Sequence, residues 1–178
     1  MIKDTIENQT DMLTTDSGRR NPQTVITDLL AYRLHRVANL VSRSASIRYK
    51  REFDISLWEW RTIAFIGAAQ TLSLNELAKA GDISKGQISP VVRGLTERRL
   101  VSRKTDVNDA RKIQLSLTSS GERLYEALIQ SSAERNTALL GSITLAERKA
   151  LTAILTKLEG KAHELSRAEK RRQKKCPE

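Results

Sequence analysis

The sequence predicts a mainly α-helical fold carrying one small β-hairpin, and three observations point there. A Ser or Thr followed three residues later by Glu or Gln recurs ahead of successive apolar segments, the pattern of a helix N-terminus. After Leu100 the apolar period drops to two, which is the period of a strand. Near the end, Leu151, Leu155, Leu158, Ala162 and Leu165 alternate steps of four and three, the spacing of a packed helical seam.

The elements follow in order. A first helix is expected from Asn21, a good N-cap, with Pro22 at the first helical position, running through Lys50 with Ile26, Leu30, Leu34, Val37 and Val41 on one stripe. Ser56 with Glu59 opens a second, Ser73 with Glu76 a short third, and Ser84 with Gln87 a fourth. Ile55/Trp60 and Ile83/Ile88 add apolar residues at the staple positions around two of these starts. "LVSRKTD" and "RKIQLSLT" then read as two strands, with "DVNDA" as the turn and Ile113, Leu115 and Leu117 alternating against Gln114 and Ser116. Thr118 caps a further helix, and Thr144 with Glu147 opens the last one.

A length of 178 residues, 39% hydrophobic and 29% charged, suits one folded unit with tails. The net charge of +10 creates a lasting attractive field for polyanions. Nucleic acid is the leading partner and an anionic membrane the second; a merely solvated basic surface also fits. Cys176 is the only cysteine, so no intrachain disulfide or thiolate metal cluster is expected, in keeping with a reducing cytoplasm. The first 22 residues hold no apolar run for a signal peptide, and no later stretch has the length of a membrane span. Enzymatic readings fail on inventory: His35 and His163 lie far apart, and no Cys/His ligand set, glycine-rich phosphate loop or nucleophile elbow is present. No metal or cofactor is expected.

The short helix, the turn "GDI" and the helix after it, "LNELAKAGDISKGQISPVVRGLTERRL", form a helix-turn-helix pattern, and the basic hairpin behind them makes it a winged one. Ile88, Val91, Val92 and Leu95 share the core side of the second helix, leaving Gly86, Ser89, Pro90, Arg93 and Glu97 opposite. Gly86 and Pro90 both disfavour a helix interior, and both fall on that outer face. Such a face either meets water or reads a partner. In the hairpin, Arg103, Lys104, Arg111 and Lys112 place four cations near the tip, within reach of phosphates or a minor groove. Asp109, two residues before Arg111, can hold its guanidinium in one direction or form only a surface ion pair.

The boundaries that result are a polar arm at 1–20, a helical dimerisation region at 21–54 and 118–168, a winged helix-turn-helix domain at 55–117, and a basic tail at 169–178. The stripe from Leu151 to Leu165 packs either within the subunit or against a second copy, and reading two half-sites favours the copy.

"DISKGQISPVVRGLTERRLVSRKTDVNDARKIQLSLTSSG" resembles the core of the MarR family of bacterial winged-helix regulators, above all in Asp109-Ala110-Arg111 followed by Leu117-Thr118 and Gly121. "LWEWRTIAFI" resembles the family's second helix, and with helix order included the likeness spans residues 25 to 165. The resemblance implies a homodimer on a pseudo-palindromic operator in double-stranded DNA, acting as a repressor relieved by a small aromatic acid or phenol. By position it makes Ser84, Lys85, Gly86, Gln87, Ser89, Pro90 and Arg93 candidate major-groove residues and Asp109 and Arg111 the wing pair. Two departures stand out. Ala110 replaces a second wing arginine, and Arg99 occupies a position after the recognition helix where a glycine, and so a positive φ, is common.

For an effector, the sequence offers Tyr32, Arg33, His35, Arg36, Trp58 and Arg61: cations for a carboxylate and rings for stacking, although tryptophans are as readily core residues. Gly86 and Pro90 also resemble the family's peroxide-sensing branch, but this chain has no cysteine near the first helix. Two alternatives stay open, a ligand-independent regulator or activator of the same fold and a winged-helix module that binds acidic proteins.

Overall fold

The computed structural model describes residues 25–105 and 113–173. Its helices open where the caps place them. Ser56 starts α2 (Leu57–Ala69), Ser73 starts α3 (Leu74–Ala80) and Ser84 starts α4 (Lys85–Glu97), each through a reciprocal capping box with the residue three positions on. The last helix, which becomes α6 in chain order (Leu145–Gln173), has the same arrangement: Thr144 N–H donates to Glu147 Oε2 at 2.7 Å and Glu147 N–H to Thr144 Oγ1 at 3.3 Å.

The first helix differs from expectation. α1 spans Leu30–Phe53, and Asn21 and Pro22 lie outside the described residues. Ahead of it, Ile26–Asp28 form a 3₁₀ turn, and Leu29 stands extended with ψ 129°. One extended residue ends the turn's hydrogen-bond ladder, so a single helix cannot run from 22 through this point.

The two expected strands are β2 (Val101–Thr105) and β3 (Ile113–Leu117), antiparallel with Arg103 opposite Leu115 and Lys104 opposite Gln114. A third strand, β1 (Thr71–Ser73), joins the free edge of β3 with Leu72 opposite Leu115, giving the order β1-β3-β2. Thr118 then caps α5 (Ser119–Leu140) by accepting from Gly121 N–H at 3.1 Å.

One core joins these elements. Ile55, Ile63, Ile66, Leu77, Ile88, Leu95, Leu115 and Leu128 are fully buried together, with Tyr49 of α1 beside them. Both staple pairs lie in or against this cluster. α6 contributes nothing to it: no residue of its 29 is buried. Among the described residues, no helix is long and apolar enough to cross a membrane.

Candidate nucleic-acid interface

The turn between α3 and α4 sets how α4 is presented. Gly81 N–H donates to Leu77 O and Ile83 N–H to Ala78 O, each at 3.0 Å, while Asp82 takes φ 48°. Asp tolerates the left-handed region better than most side chains, so the chain reverses within three residues. Ile88, Val92 and Leu95 then fasten one face of α4 into the core, with Val91 half-buried. On the other face Gly86, Ser89, Pro90, Arg93 and Glu97 are all exposed, and so is Lys85 in the first turn. For the first five this follows from the helical period, which turns them away from the anchored residues.

The cap ties down two of the candidate reading residues. Gln87 Oε1 accepts from Ser84 N–H at 3.1 Å and from Ser84 Oγ–H at 2.9 Å, and Gln87 N–H donates to Ser84 Oγ at 3.3 Å. Both acceptor sites of Oε1 are thus occupied, while the Nε2 donors have no partner among the described residues. Bidentate reading of adenine needs a free acceptor beside a donor, so the capped Gln87 is suited to donate only, to a guanine edge or a phosphate.

Pro90 does not break α4, which continues through it to Glu97. The residue whose carbonyl it leaves without an N–H is Gly86, one turn earlier on the same exposed face. A Cβ added at Gly86 would meet only Ser84 Oγ at 3.8 Å, so packing within the chain does not require a glycine there.

The C-terminus of α4 is closed by a Schellman arrangement. Leu100 N–H donates to Leu95 O and Arg99 N–H to Thr96 O, each at 2.9 Å, and Arg99 has φ 57°. The positive φ expected from the missing glycine is therefore present, carried by an arginine. Arg98 fastens the same corner to α2, donating to Glu59 Oε1 at 2.9 Å and to Asp54 O at 3.2 Å. The wing begins three residues on, at Val101, so α4 and β2 share one anchor point. Arg103 and Lys104 are exposed on β2; Asp109, Arg111 and Lys112 lie outside the described residues.

The six effector candidates do not share one cavity. Arg61 lies over the Trp58 ring at 5.0 Å, in a crevice against Thr62, Phe65 and Ile83 too narrow for water. Arg33, His35 and Arg36 are exposed on the first turns of α1, with Tyr32 half-buried and His35 Nε2 2.7 Å from Asn39 Nδ2. A cavity of about 600 Å³ opens instead between α1 and α5, lined among others by Leu40, Ser44, Arg48, Tyr49, Ser132 and Arg135. Arg135 stands over the Tyr49 ring at 5.5 Å and donates to Val41 O at 3.2 Å, and Tyr49 Oη is 2.7 Å from Ser132 Oγ. Sequence spacing gives no sign of this site, whose two walls lie some ninety residues apart.

Along the seam, Leu151, Leu155, Ala162 and Leu165 are exposed and Leu158 is half-buried. α1 adds exposed Leu30, Leu34, Val37 and Leu40.

Comparison with known proteins decides what this arrangement belongs to. A family model described as MarR family matches residues 53–112, from the end of α1 into the wing. The HTH-type transcriptional regulator FarR of Neisseria gonorrhoeae is 34% identical over 109 residues, covering 60% of this chain and 75% of that protein. The chain belongs to the MarR family. Its relatives are transcriptional regulators, not enzymes. The HTH-type transcriptional repressor NicR of Pseudomonas putida is 34% identical over 83 residues, covering 47% of this chain and 52% of that protein. The MepR–DNA complex of Staphylococcus aureus superposes with a TM-score of 0.70 at 25% identity, over 75% of this chain and 98% of that one. The winged helix is thus a MarR-family winged helix, placed on a helical frame of the family's kind.

Proposed function

We propose that this MarR-family regulator is a homodimeric, cytoplasmic repressor that binds a pseudo-palindromic operator and is released by a small aromatic or phenolic ligand. The observation that carries the DNA-binding part is the division of α4: Ile88, Val92 and Leu95 anchored, Gly86, Ser89, Pro90 and Arg93 exposed on the opposite face, and Lys85 exposed in the first turn. Gln87 donates from the capped turn, and Arg93 carries the positive charge nearest the middle of the helix. Gly86 lets a phosphate or base edge approach the backbone, and Pro90 offers apolar surface to a thymine methyl. Arg103, Lys104, Arg111 and Lys112 supply phosphate or minor-groove contacts from the wing, with Asp109 directing Arg111.

Dimerisation rests on the seam. A stripe of leucines left exposed along α6, next to further exposed apolar residues on α1, is what a two-fold contact would cover. Relief by a ligand rests on the α1–α5 cavity: its volume suits a small ring, and its lining carries the Arg48 and Arg135 guanidiniums, of which Arg48 also holds Glu52 and Glu134 and Arg135 covers the buried Tyr49 ring. A repressor role agrees with the name that NicR carries.

Selection of bound duplexes from random DNA tests the reading, because half-sites of two-fold symmetry would report function, symmetry and spacing together. Recovery of no preferred sequence by the intact chain would overturn it, in favour of a winged-helix module that binds acidic proteins. Arg111→Ala is expected to lower duplex affinity strongly with helix content and oligomeric state unchanged.

A further inference from the structure

The winged helix does not account for the basic character of the chain. Residues 55–117 hold ten Lys and Arg against six Asp and Glu, whereas residues 145–178 hold ten against five, half of the net +10. Within that last part the excess is concentrated at the far end. Residues 166–175 carry six cations and one carboxylate, and α6 remains helical as far as Gln173.

Four of these cations, Arg167, Lys170, Arg171 and Arg172, stand on the described part of the helix. Arg172 pairs with Glu169 at 3.0 Å and Lys161 with Glu164 at 2.9 Å. Arg167, Lys170 and Arg171 are exposed and make no direct ion pair among the described residues, although, after the Lys161 hydrogen bond and charge, the Arg167 charge also helps lower the pKa of Glu164. At 100° per residue, Arg167 and Arg171 fall opposite the arc that holds Leu151, Leu155, Leu158, Ala162 and Leu165, and Lys170 falls on its flank. A second copy seated on the seam would therefore leave Arg167 and Arg171 facing outward and Lys170 at its edge.

We propose that this end of α6 is a second, sequence-independent surface for duplex DNA, binding its phosphates. Arg167 and Arg171 are one turn apart, about 6 Å along the helix axis, so both can reach phosphates of one stretch of backbone. An anionic membrane fits less well, because an interfacial helix needs large apolar side chains beneath its cations. Residues 166–173 read Ser-Arg-Ala-Glu-Lys-Arg-Arg-Gln, with none. The inference rests on the DNA-binding reading above and adds to it an affinity that does not depend on the operator.

The test uses the full chain with Arg167→Gln, Lys170→Gln and Arg171→Gln combined, a random-sequence duplex, and affinity measured from 50 to 200 mM salt. Each phosphate contact contributes about 0.9 to the slope of log K against log salt, so losing three lowers the slope by about 2.7. The intact chain should then lose about 40-fold more affinity than the variant across this range. Preference for selected operator over random duplex should be unchanged by the triple variant and reduced by Arg93→Ala, which separates the two surfaces. An unchanged slope with Arg93→Ala still impaired overturns the second surface alone, leaving these cations to offset the C-terminal helix dipole. Absence of duplex binding by the intact chain overturns both readings. Loss of binding to phosphatidylglycerol vesicles in the variant, with the DNA slope unchanged, replaces DNA by membrane and overturns the proposal.

Discussion

Gly121 stands against the backbone of Leu100 so closely that a Cβ at 121 would lie 2.1 Å from the Leu100 carbonyl oxygen. That oxygen also accepts from Thr118 N–H at 3.1 Å, and Thr118 Oγ1–H donates to Arg99 O at 2.7 Å. The cap of α5 and the exit from α4 are thus one joint. The Leu-Thr and Gly of the wing-to-helix motif have a packing reason here that requires no ligand. Gly121→Ala forces backbone apart and is expected to cost upwards of about 3 kcal/mol. Gly160→Ala, where a Cβ meets nothing within 4 Å, should instead stabilise by up to about 1 kcal/mol. Urea unfolding of the two variants reads both signs.

Arg98 and Glu59 make stability depend on pH in a stated direction. Burial opposes the charged form of Glu59, but the Ser56 backbone N–H, the Ser56 hydroxyl and Arg98 outweigh it and hold the carboxyl below its ordinary range. Hydrogen bonds from the Thr144 N–H and hydroxyl lower Glu147 in the same way. A carboxyl with a folded pKa below its unfolded one adds stability that is present above about pH 4.3 and lost as pH falls through the folded value. Glu59→Gln should lower stability by about 0.5–1 kcal/mol at pH 7, since the Arg98 side chain is 37% exposed and partly screened. The difference from the parent should shrink toward pH 3, as chemical denaturation at pH 7, 5 and 3 would show.

Leu155 is 43% exposed in its own chain, so replacing it tests the association of two chains rather than the fold of one. Burying the part of Leu155 still exposed contributes about 0.6–1.3 kcal/mol, a two-fold seam buries it twice, and a glutamate there adds the cost of desolvating a charge. Leu155→Glu should raise the dimer dissociation constant by about 100-fold or more, with monomer helix content unchanged. Sedimentation equilibrium measures it; an unaltered constant would place the interface elsewhere.

Local chemistry explains which features were legible in the sequence. Four capping boxes, the hairpin register side and the anchored face of α4 each depend on residues within a few positions of one another, so spacing is enough to find them, whereas the positive φ at Arg99 was legible only through the family resemblance. β1 escaped because three residues cannot display a period of two, and Thr71–Ser73 become a strand only where β3 presents an open edge. The start of α1 escaped because the extended Leu29 has no side-chain signal: an ordinary leucine stands as N-cap with no capping hydrogen bond. The α1–α5 cavity escaped because it exists only once Arg135 reaches Val41 and Tyr49.

Gln87 allows the cap and the proposed recognition to be separated. A carboxylate at this position can accept the same two bonds from Ser84, and negative charge in the first turn of a helix is favourable. Gln87→Glu should therefore leave stability unchanged within about 0.5 kcal/mol. The variant removes the Nε2 donors and puts like charge against phosphate, so operator affinity should fall by at least about tenfold, consistent with losing one charge-compatible contact of about 1.4 kcal/mol. Equal affinity at matched stability would confine Gln87 to the cap.

Pro90 and Gly86 reverse the usual relation between stability and function. Proline inside a helix costs about 3 kcal/mol relative to alanine and glycine about 1 kcal/mol, yet packing within the chain does not require Gly86. Pro90→Ala and Gly86→Ala should each raise the melting temperature. If the exposed face reads DNA, both should also weaken operator binding: Gly86→Ala by placing a methyl between backbone and duplex, and Pro90→Ala by removing apolar surface and straightening the reading turn. Higher stability with unchanged operator preference would mean that the two residues are tolerated there and do not take part in recognition. Loss of preference in a more stable protein would show that α4 trades helix stability for a face that fits DNA.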